Sequence, residues 1–356
     1  MTVSNICNLK RVTNMKLIIK CIVAVILFYF ISTCFRAYEL NKTIRYTVNK
    51  QHESEPLIYP IKWHYDDIHR ENRLASVDEN GVYVTNYDKI TNLTSVRGKQ
   101  YNPVNIALMI IHEGKYYSEQ KESYQYRDFL RLNLGWLVDN QDAQGRWYIN
   151  FDNKISKRTN KAPWVSGLSQ GLGISALIRG YYIFGDDVYL DAAKKAIYPM
   201  TTSIADGGVL SINEYGNIIE EYPFEQQNIH VLNGYLYSII GIYELSLIDS
   251  SYQPMLDEHM GTLTKLLDRY TLFGGWSAYS LDEPTFRNHA TYSNPMYHQL
   301  HIAQLSFLCN SSSYDQFCYT AEKFIEFKSS LASVFVHVSY IIFKDIIYTY
   351  KRLLYG

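Results

Sequence analysis

GGVLSINEYG at residues 207–216 has a counterpart on each side, QGRWYINFD at 144–152 and GGWSAYSLDE at 274–283. Each opens on a glycine turn and runs into a short strand-like stretch. The glycines recur at intervals of roughly 60 to 67 residues, about the length of two helices with their loops. Between them apolar residues return at three-to-four spacing, which predicts helices over about 104–117, 120–140, 166–184, 187–202, 226–248, 252–270, 292–309 and 315–350. A helical hairpin repeated in this way implies a mainly α protein, an α/α barrel or toroid with one helix layer inside another. Its short β-hairpins would then gather at the cleft end. An irregular helical bundle with unrelated glycine turns is the competing architecture.

The chain has 356 residues and is 47% hydrophobic, enough for a substantial core. Lys plus Arg is 34 against 35 for Asp plus Glu, so no global charge excess points to nucleic acid, and a charged substrate must be held locally. Tyr 33 against Phe 15 supplies stacking area together with hydroxyls, a composition suited to sugar grooves and equally to cores. Cys7, Cys21 and Cys34 lie in or before an N-terminal apolar segment, and there is no CxxC metal pair. Cys309 and Cys318 remain as a pair for an oxidising lumen.

Arg11, Lys16 and Lys20 precede the apolar run CIVAVILFYFISTCF at 21–35, and Arg36 follows. A positive flank before such a run reads as an uncleaved signal-anchor over 17–35, with 1–16 cytoplasmic and the bulk of the chain outside the cytosol; a cleaved signal peptide is the alternative. Residues 36–100 are polar, a stem or linker with one hairpin around Asn80-Gly81. The main domain then occupies 101–356. Asn41, Asn92 and Asn310 head sequons compatible with a secretory route.

GxSxG, Walker, dinucleotide-binding and HExxH patterns are all missing, so classical serine hydrolysis, nucleotide hydrolysis, hydride transfer and zinc proteolysis lose weight. What stands out is carboxylate and tyrosine: Glu220, Glu221 and Tyr222 after the second glycine loop, Tyr279 in the third, and Tyr297 opening YHQLH. For Glu221 the plainer reading is a helix-start acid favoured by the helix dipole, with Pro223 as a first-turn residue. For Tyr222 and Tyr279 it is packing. His298 and His301 share a helix face loosely and make a weak metal pair, and buried histidines are the commoner outcome.

Four stretches resemble the C-terminal catalytic domain of the D-glucuronyl C5-epimerases, enzymes of heparan sulfate and heparin-type polysaccharide synthesis. They are GWLVDNQDAQGRW (135–147), PWVSGLSQGLGISALIRGYYIFGDDVYLDAA (163–193), EEYPFEQQNIHVLNGYLYSIIGIYEL (220–245) and YHQLHIAQLSFL (297–308). The resemblance implies an α/α barrel that converts D-glucuronate to L-iduronate within a polymer, with catalytic residues at Glu221, Tyr222, Tyr279 and Tyr297. Substrate contacts are then expected from Trp147, Trp164, Gln170, Asn233, Arg287, His298 and His301. No redox cofactor is required, no metal ligands are assigned, and no motif asks for a structural calcium. The partners implied are a uronic-acid polysaccharide and, through the anchor, a membrane, in the Golgi lumen or a bacterial envelope; a homodimer is compatible and nucleic acid is not expected. Two departures stand out: the family's β-rich domain between the segments matching 103–117 and 135–141 is missing, and Asp282 occupies the place of an arginine. A uronate lyase and an inactive glycan-binding protein are the rival functions.

Overall fold

The computed structural model describes residues 23–24, 26–35, 75–89, 98–119, 124–155, 158–225, 228–281, 291–330, 332–339, 341–342 and 346. The chain divides into two compact units, residues 46–325 and a smaller one of 1–45 with 326–356. In the smaller unit residues 26–35 and 332–339 are helical, and Cys34 packs with Val334, Val338, Ile341 and Ile342. Part of the 17–35 segment lies outside the described residues. Among the described residues no helix is long and apolar enough to cross a membrane.

The larger unit is mainly helical. Its helices are α1 (Pro103–Glu119), α2 (Tyr124–Asp139), α3 (Gly167–Phe184), α4 (Asp187–Lys195), α5 (Tyr198–Thr201), α6 (Leu232–Ser246), α7 (Gln253–Tyr270), α8 (Pro295–Ser311) and α9 (Asp315–Lys328), the last running three residues past the unit's end. Helices α1, α3, α6 and α8 lie side by side in that order, and α2, α4 and α7 pack outside them as the second members of hairpins. Burial explains the two layers. α6 is buried on nearly every side, whereas α7 buries Leu256, His259, Met260, Leu263, Leu266, Leu267 and Tyr270, a single stripe at helical spacing. A helix apolar all round must lie inside; a striped one covers it.

The innermost contact, α3 on α6, is set by glycine. A Cβ at Gly171 would lie 2.6 Å from Ser238 Cα and from the Tyr237 carbonyl oxygen, and one at Gly241 would lie 2.5 Å from the Gly171 carbonyl oxygen. These neighbours are backbone and cannot swing aside. In a solvent-exposed helix Gly→Ala is stabilising by ~1 kcal/mol, but at Gly171 the clash outweighs propensity. Gly171→Ala is therefore expected to destabilise the protein by about 2 kcal/mol or more, read as a fall in melting temperature. Nearby, Arg179 of α3 makes a buried bidentate pair with Glu244 of α6, at 2.8 and 3.0 Å.

All three glycine-led loops carry strands. The first holds β4 (Tyr148–Ile149) paired with β7 (Trp164–Val165), and between them a hairpin of β5 (Asn153–Ile155) and β6 (Arg158–Asn160). The second is the hairpin of β8 (Leu210–Asn213) and β9 (Gly216–Ile219). The third is β11 (Trp276–Ser280) between β10 (Thr271–Leu272) and β12 (Thr291–Tyr292). These loops lead into α3, α6 and α8, so they meet at the N-terminal ends of the inner helices. A further sheet orders β1 (Ala75–Val77), β2 (Tyr83–Asn86) and β3 (Lys99–Gln100), with the expected turn at Asn80-Gly81. Val82 and Tyr83 join the main core, so the polar lead segment ends packed on the helices.

Three helix boundaries differ from expectation. The 187–202 segment is two helices, α4 and α5, because Pro199 in the first turn of α5 has no N–H to continue the α4 ladder. The 315–350 segment is interrupted after Lys328. The 226–248 helix starts only at Leu232, so Pro223 is a loop residue and not a helix start. His230 has φ 40°, a left-handed turn that redirects the chain into α6, and its carbonyl accepts the Tyr270 hydroxyl at 2.6 Å. Cys309 of α8 and Cys318 of α9 form a disulfide.

Candidate active site

Glu220 and Glu221 follow β9 and point to different tasks. Glu220 is buried, with Oε1 2.5 Å from Ser211 Oγ and 2.5 Å from His230 Nδ1, while its backbone N–H donates to the Val209 carbonyl at 2.8 Å. It clamps both ends of the 221–229 loop to β8, a structural role. Glu221 crosses the start of α6, where Asn233 Nδ2 donates to its Oε2 at 3.4 Å. Its carbonyl oxygen accepts the Ser166 hydroxyl at 2.7 Å, and the Gly167 N–H donates to the Glu220 carbonyl at 2.8 Å. Ser166 sits at the N-cap position of α3 yet spends its hydroxyl on this contact.

Gly234 makes room for the carboxylate. A Cβ there would lie 2.4 Å from Glu221 Oε2 and 2.6 Å from Glu221 Cβ. Glu221 is only 4% exposed, and burial pushes the pKa of its carboxyl up from the ordinary 4.5 to about 7, against the hydrogen bonds of Tyr222 and Asn233 that favour the charge. A carboxyl poised near neutrality exchanges protons with little driving force either way.

Three tyrosines complete the group. Tyr222 packs its ring on Trp164, centroids 5.9 Å apart, and hydrogen-bonds both Glu221 and Tyr279. The Leu281 N–H donates to the Ile229 carbonyl at 2.9 Å and Val231 bridges to Ser280, which brings Tyr279 of β11 against the Glu221 loop. Tyr297 lies in the first turn of α8, capped by Asn294, whose Oδ1 accepts the Tyr297 N–H at 2.9 Å. Its ring stands edge-on to Tyr279, centroids 4.8 Å apart. Burial, then the nearby Glu221 charge, holds the Tyr222 and Tyr279 hydroxyls well above their ordinary value, so both stay protonated donors at neutral pH. The order of donation is Tyr279 to Tyr222 to Glu221. Thus Glu221, Tyr222, Tyr279 and Tyr297 come together from three segments.

The expected substrate contacts divide. Trp164 and Asn233 adjoin the group as described. Trp147 does not: it is fully buried, its indole donates to the Leu137 carbonyl at 2.7 Å, and Gly173 of α3 lies against its ring. Gln170 is also a scaffold residue, accepting the Trp147 N–H at 3.2 Å and donating to the Gly145 carbonyl at 2.8 Å. His298 stacks on Trp276 at 4.0 Å, and its Nδ1 accepts the Ser277 backbone N–H at 3.1 Å and lies 2.9 Å from Ser277 Oγ, so it packs β11 on α8. His301 Nδ1 meets Ser277 Oγ at 2.9 Å, and burial holds its pKa well below the ordinary value, leaving it neutral. The resemblance sets these four in the cleft; in the fold each turns inward, its polar atoms meeting buried backbone or hydroxyl partners. Arg287 and Asp282 lie outside the described residues. Among the described residues no group of three or more His, Cys, Asp or Glu side chains could hold a metal.

Contacts missed in the sequence are Ser166, Gly234 and Phe224, which with Ile229 and Val231 forms a small apolar cluster beside Tyr222 and Tyr279. Gly234 had a signal, a glycine in the first turn of an otherwise apolar helix.

The fold and site define a protein of paired helices with one buried carboxyl and three tyrosines gathered at the N-termini of the inner helices. Residues 141–326 match the family described as D-glucuronyl C5-epimerase C-terminus, and the chain belongs to that family. It is similar to a D-glucuronyl C5-epimerase of Caenorhabditis elegans, 32% identical over 207 residues, which are 53% of this chain and 33% of that protein. The match thus spans about a third of that relative's length. A solved reducing end xylose-releasing exo-oligoxylanase is similar at a TM-score of 0.49 and 11% identity, over 78% of this chain and 75% of that one, too slight a likeness to bear on function.

Proposed function

We propose that this chain inverts C5 of D-glucuronate residues within a glycosaminoglycan-type polymer, producing L-iduronate. The observation that carries the reading is the buried Glu221 carboxyl, held near neutrality, among three tyrosines in a chain of this family. The C5 hydrogen lies beside a carboxylate and is a weak acid. Its removal needs a base on one face, stabilisation of the enolate, and an acid on the other face.

Glu221 takes the C5 proton, and the C5–H electron pair moves into the carboxylate to form an enolate. Tyr297 returns a proton to C5 from the opposite face; its phenolate is then reprotonated from solvent, and Glu221 releases its proton. One C5 hydrogen is replaced by one solvent hydrogen. Tyr222 and Tyr279, which donate to Glu221 and Tyr222 in the free chain, turn their single hydroxyl protons to the substrate's carboxylate oxygens, where the charge develops. The N-termini of α3, α6 and α8 point the positive ends of their dipoles at the same region, which suits an anionic substrate. The side-by-side inner helices with outer partners support the further reading of this unit as an α/α toroid with its cleft at that end.

The test is incubation with a de-N-sulfated glucuronate–glucosamine polymer in deuterated water, with NMR detection of deuterium at C5. No incorporation into that polymer or other glucuronans overturns the reading; an unsaturated product absorbing in the ultraviolet would make the enzyme a lyase. Because Glu221 must be ionised to act as the base, exchange should fall about tenfold per pH unit below pH 7 and level off above it, as read from a pH–rate profile.

A further inference from the structure

Of the three sequons, Asn310-Ser311-Ser312 is the one that falls among the described residues; Asn41 and Asn92 lie outside them. Asn310 is exposed, in the last turn of α8. Its neighbour Cys309 is bonded to Cys318 of α9, so the whole sequon lies inside the loop that this disulfide closes. Disulfides form and persist in oxidising compartments, among them the lumen of the endoplasmic reticulum, where Asn-X-Ser/Thr acceptors receive their glycans. The position also leaves the Glu221 group open. Tyr297 lies in the first turn of α8, and Asn310 comes thirteen residues later, about 20 Å along the axis at the helical rise. A bulky group on Asn310 therefore stands at the far end of the helix from the tyrosines.

We propose that Asn310 is an N-glycosylation site whose use is limited by closure of the Cys309–Cys318 disulfide. The donor is an oligosaccharide carried on a polyisoprenyl diphosphate. Asn310 Nδ2 forms a bond to the anomeric carbon, the bond from that carbon to the diphosphate breaks, and the amide gives up one proton; nothing is oxidised or reduced. Transfer needs the acceptor extended, with the hydroxyl two residues on free beside the amide. In the fold neither condition holds, because Asn310 is helical and the Ser312 hydroxyl donates to the Leu308 carbonyl at 2.7 Å. Transfer therefore precedes folding of this end of α8. A disulfide that pins the sequon within a sequence separation of nine residues competes with it. Once the helix forms, the exposure of Asn310 leaves the glycan in solvent. The proposal is independent of the reaction assigned to Glu221.

The test is expression of the full chain in a eukaryotic secretory host, with mass spectrometry of the peptide that carries Asn310. Enzymatic removal of the glycan converts a modified asparagine to aspartate and so marks the site. A fraction of wild-type chains should carry the glycan. Asn310→Gln and Ser312→Ala should each lose that one glycan, and Ser312→Thr should keep it, since threonine also supplies the hydroxyl. Ser312→Ala carries the comparison should Asn310→Gln fail to fold, because it leaves the asparagine in place. Cys318→Ser, which alters no residue of the sequon, should raise the fraction of chains modified at Asn310. An unmodified Asn310 in both wild type and Cys318→Ser overturns the site. Equal modification in the two overturns the competition with the disulfide and leaves the site assigned.

Discussion

Glu221→Gln is expected to abolish C5 deuterium exchange while making the protein more stable at pH 8. The amide is nearly isosteric and can still accept from Tyr222, but it cannot take a proton from C5. The stability change follows from the raised pKa. In the unfolded chain the carboxyl ionises near its ordinary 4.5, and in the fold only near 7. Folding therefore carries no penalty below pH 4.5, a growing one between 4.5 and 7, and its full value above 7. That full value is roughly 3 kcal/mol, and the glutamine removes it. Chemical denaturation of both proteins at pH 8 and pH 4 should show the gain at the first and none at the second. Loss of exchange with a collapsed melting temperature would instead make Glu221 a packing residue.

Gly234→Ala should be nearly as damaging to activity without touching any ionisable group. The added Cβ would lie 2.4 Å from Glu221 Oε2, 2.6 Å from Glu221 Cβ and 3.1 Å from its carboxyl carbon. The oxygen could swing away, but Cβ is tied to the backbone, which Ser166 and Gly167 hold from the other side. The carboxyl must therefore move by a good part of an ångström, a displacement that costs about 100-fold in rate. It would also move out of its buried position, so the acid limb of the pH–rate profile should shift to lower pH. Exchange within a few-fold of wild type, with an unshifted profile, would show that Glu221 has room to spare.

Several elements were legible in the chain because their signals are local. Helices α1, α2, α3, α7 and α8 were marked by three-to-four spacing with boundaries close to those seen, whereas α6 starts later and α9 stops earlier than the period suggests, and Pro199 separates α4 from α5. The glycine turns at 145, 207 and 274 announced the strand-bearing loops, and all three glycines adopt the positive φ such turns require. The acids of EEYP were visible, and the family resemblance singled out Glu221, but residue chemistry alone gave no reason for the choice. Nothing in the dipeptide tells Glu220 from Glu221; the difference is that Ser211 and His230 meet one and the start of α6 meets the other.

The substrate-contact residues show the same limit. Trp147, Gln170, His298 and His301 have the chemistry of a sugar site, yet each is spent on buried backbone or hydroxyl partners. Gln170, for instance, is fixed by Gly145 and Ala196, each about two dozen residues away along the chain.

What the sequence determined alone is periodic: a mainly helical chain, its punctuation by glycine, and the strings that place it in its family. The tertiary structure decided which carboxyl is buried at the start of α6, which tyrosines reach it, and which polar side chains are scaffold. The physical reason is range. Helix period and turn chemistry act within a few residues, whereas the raised pKa of Glu221 arises from burial by segments that folding alone brings together.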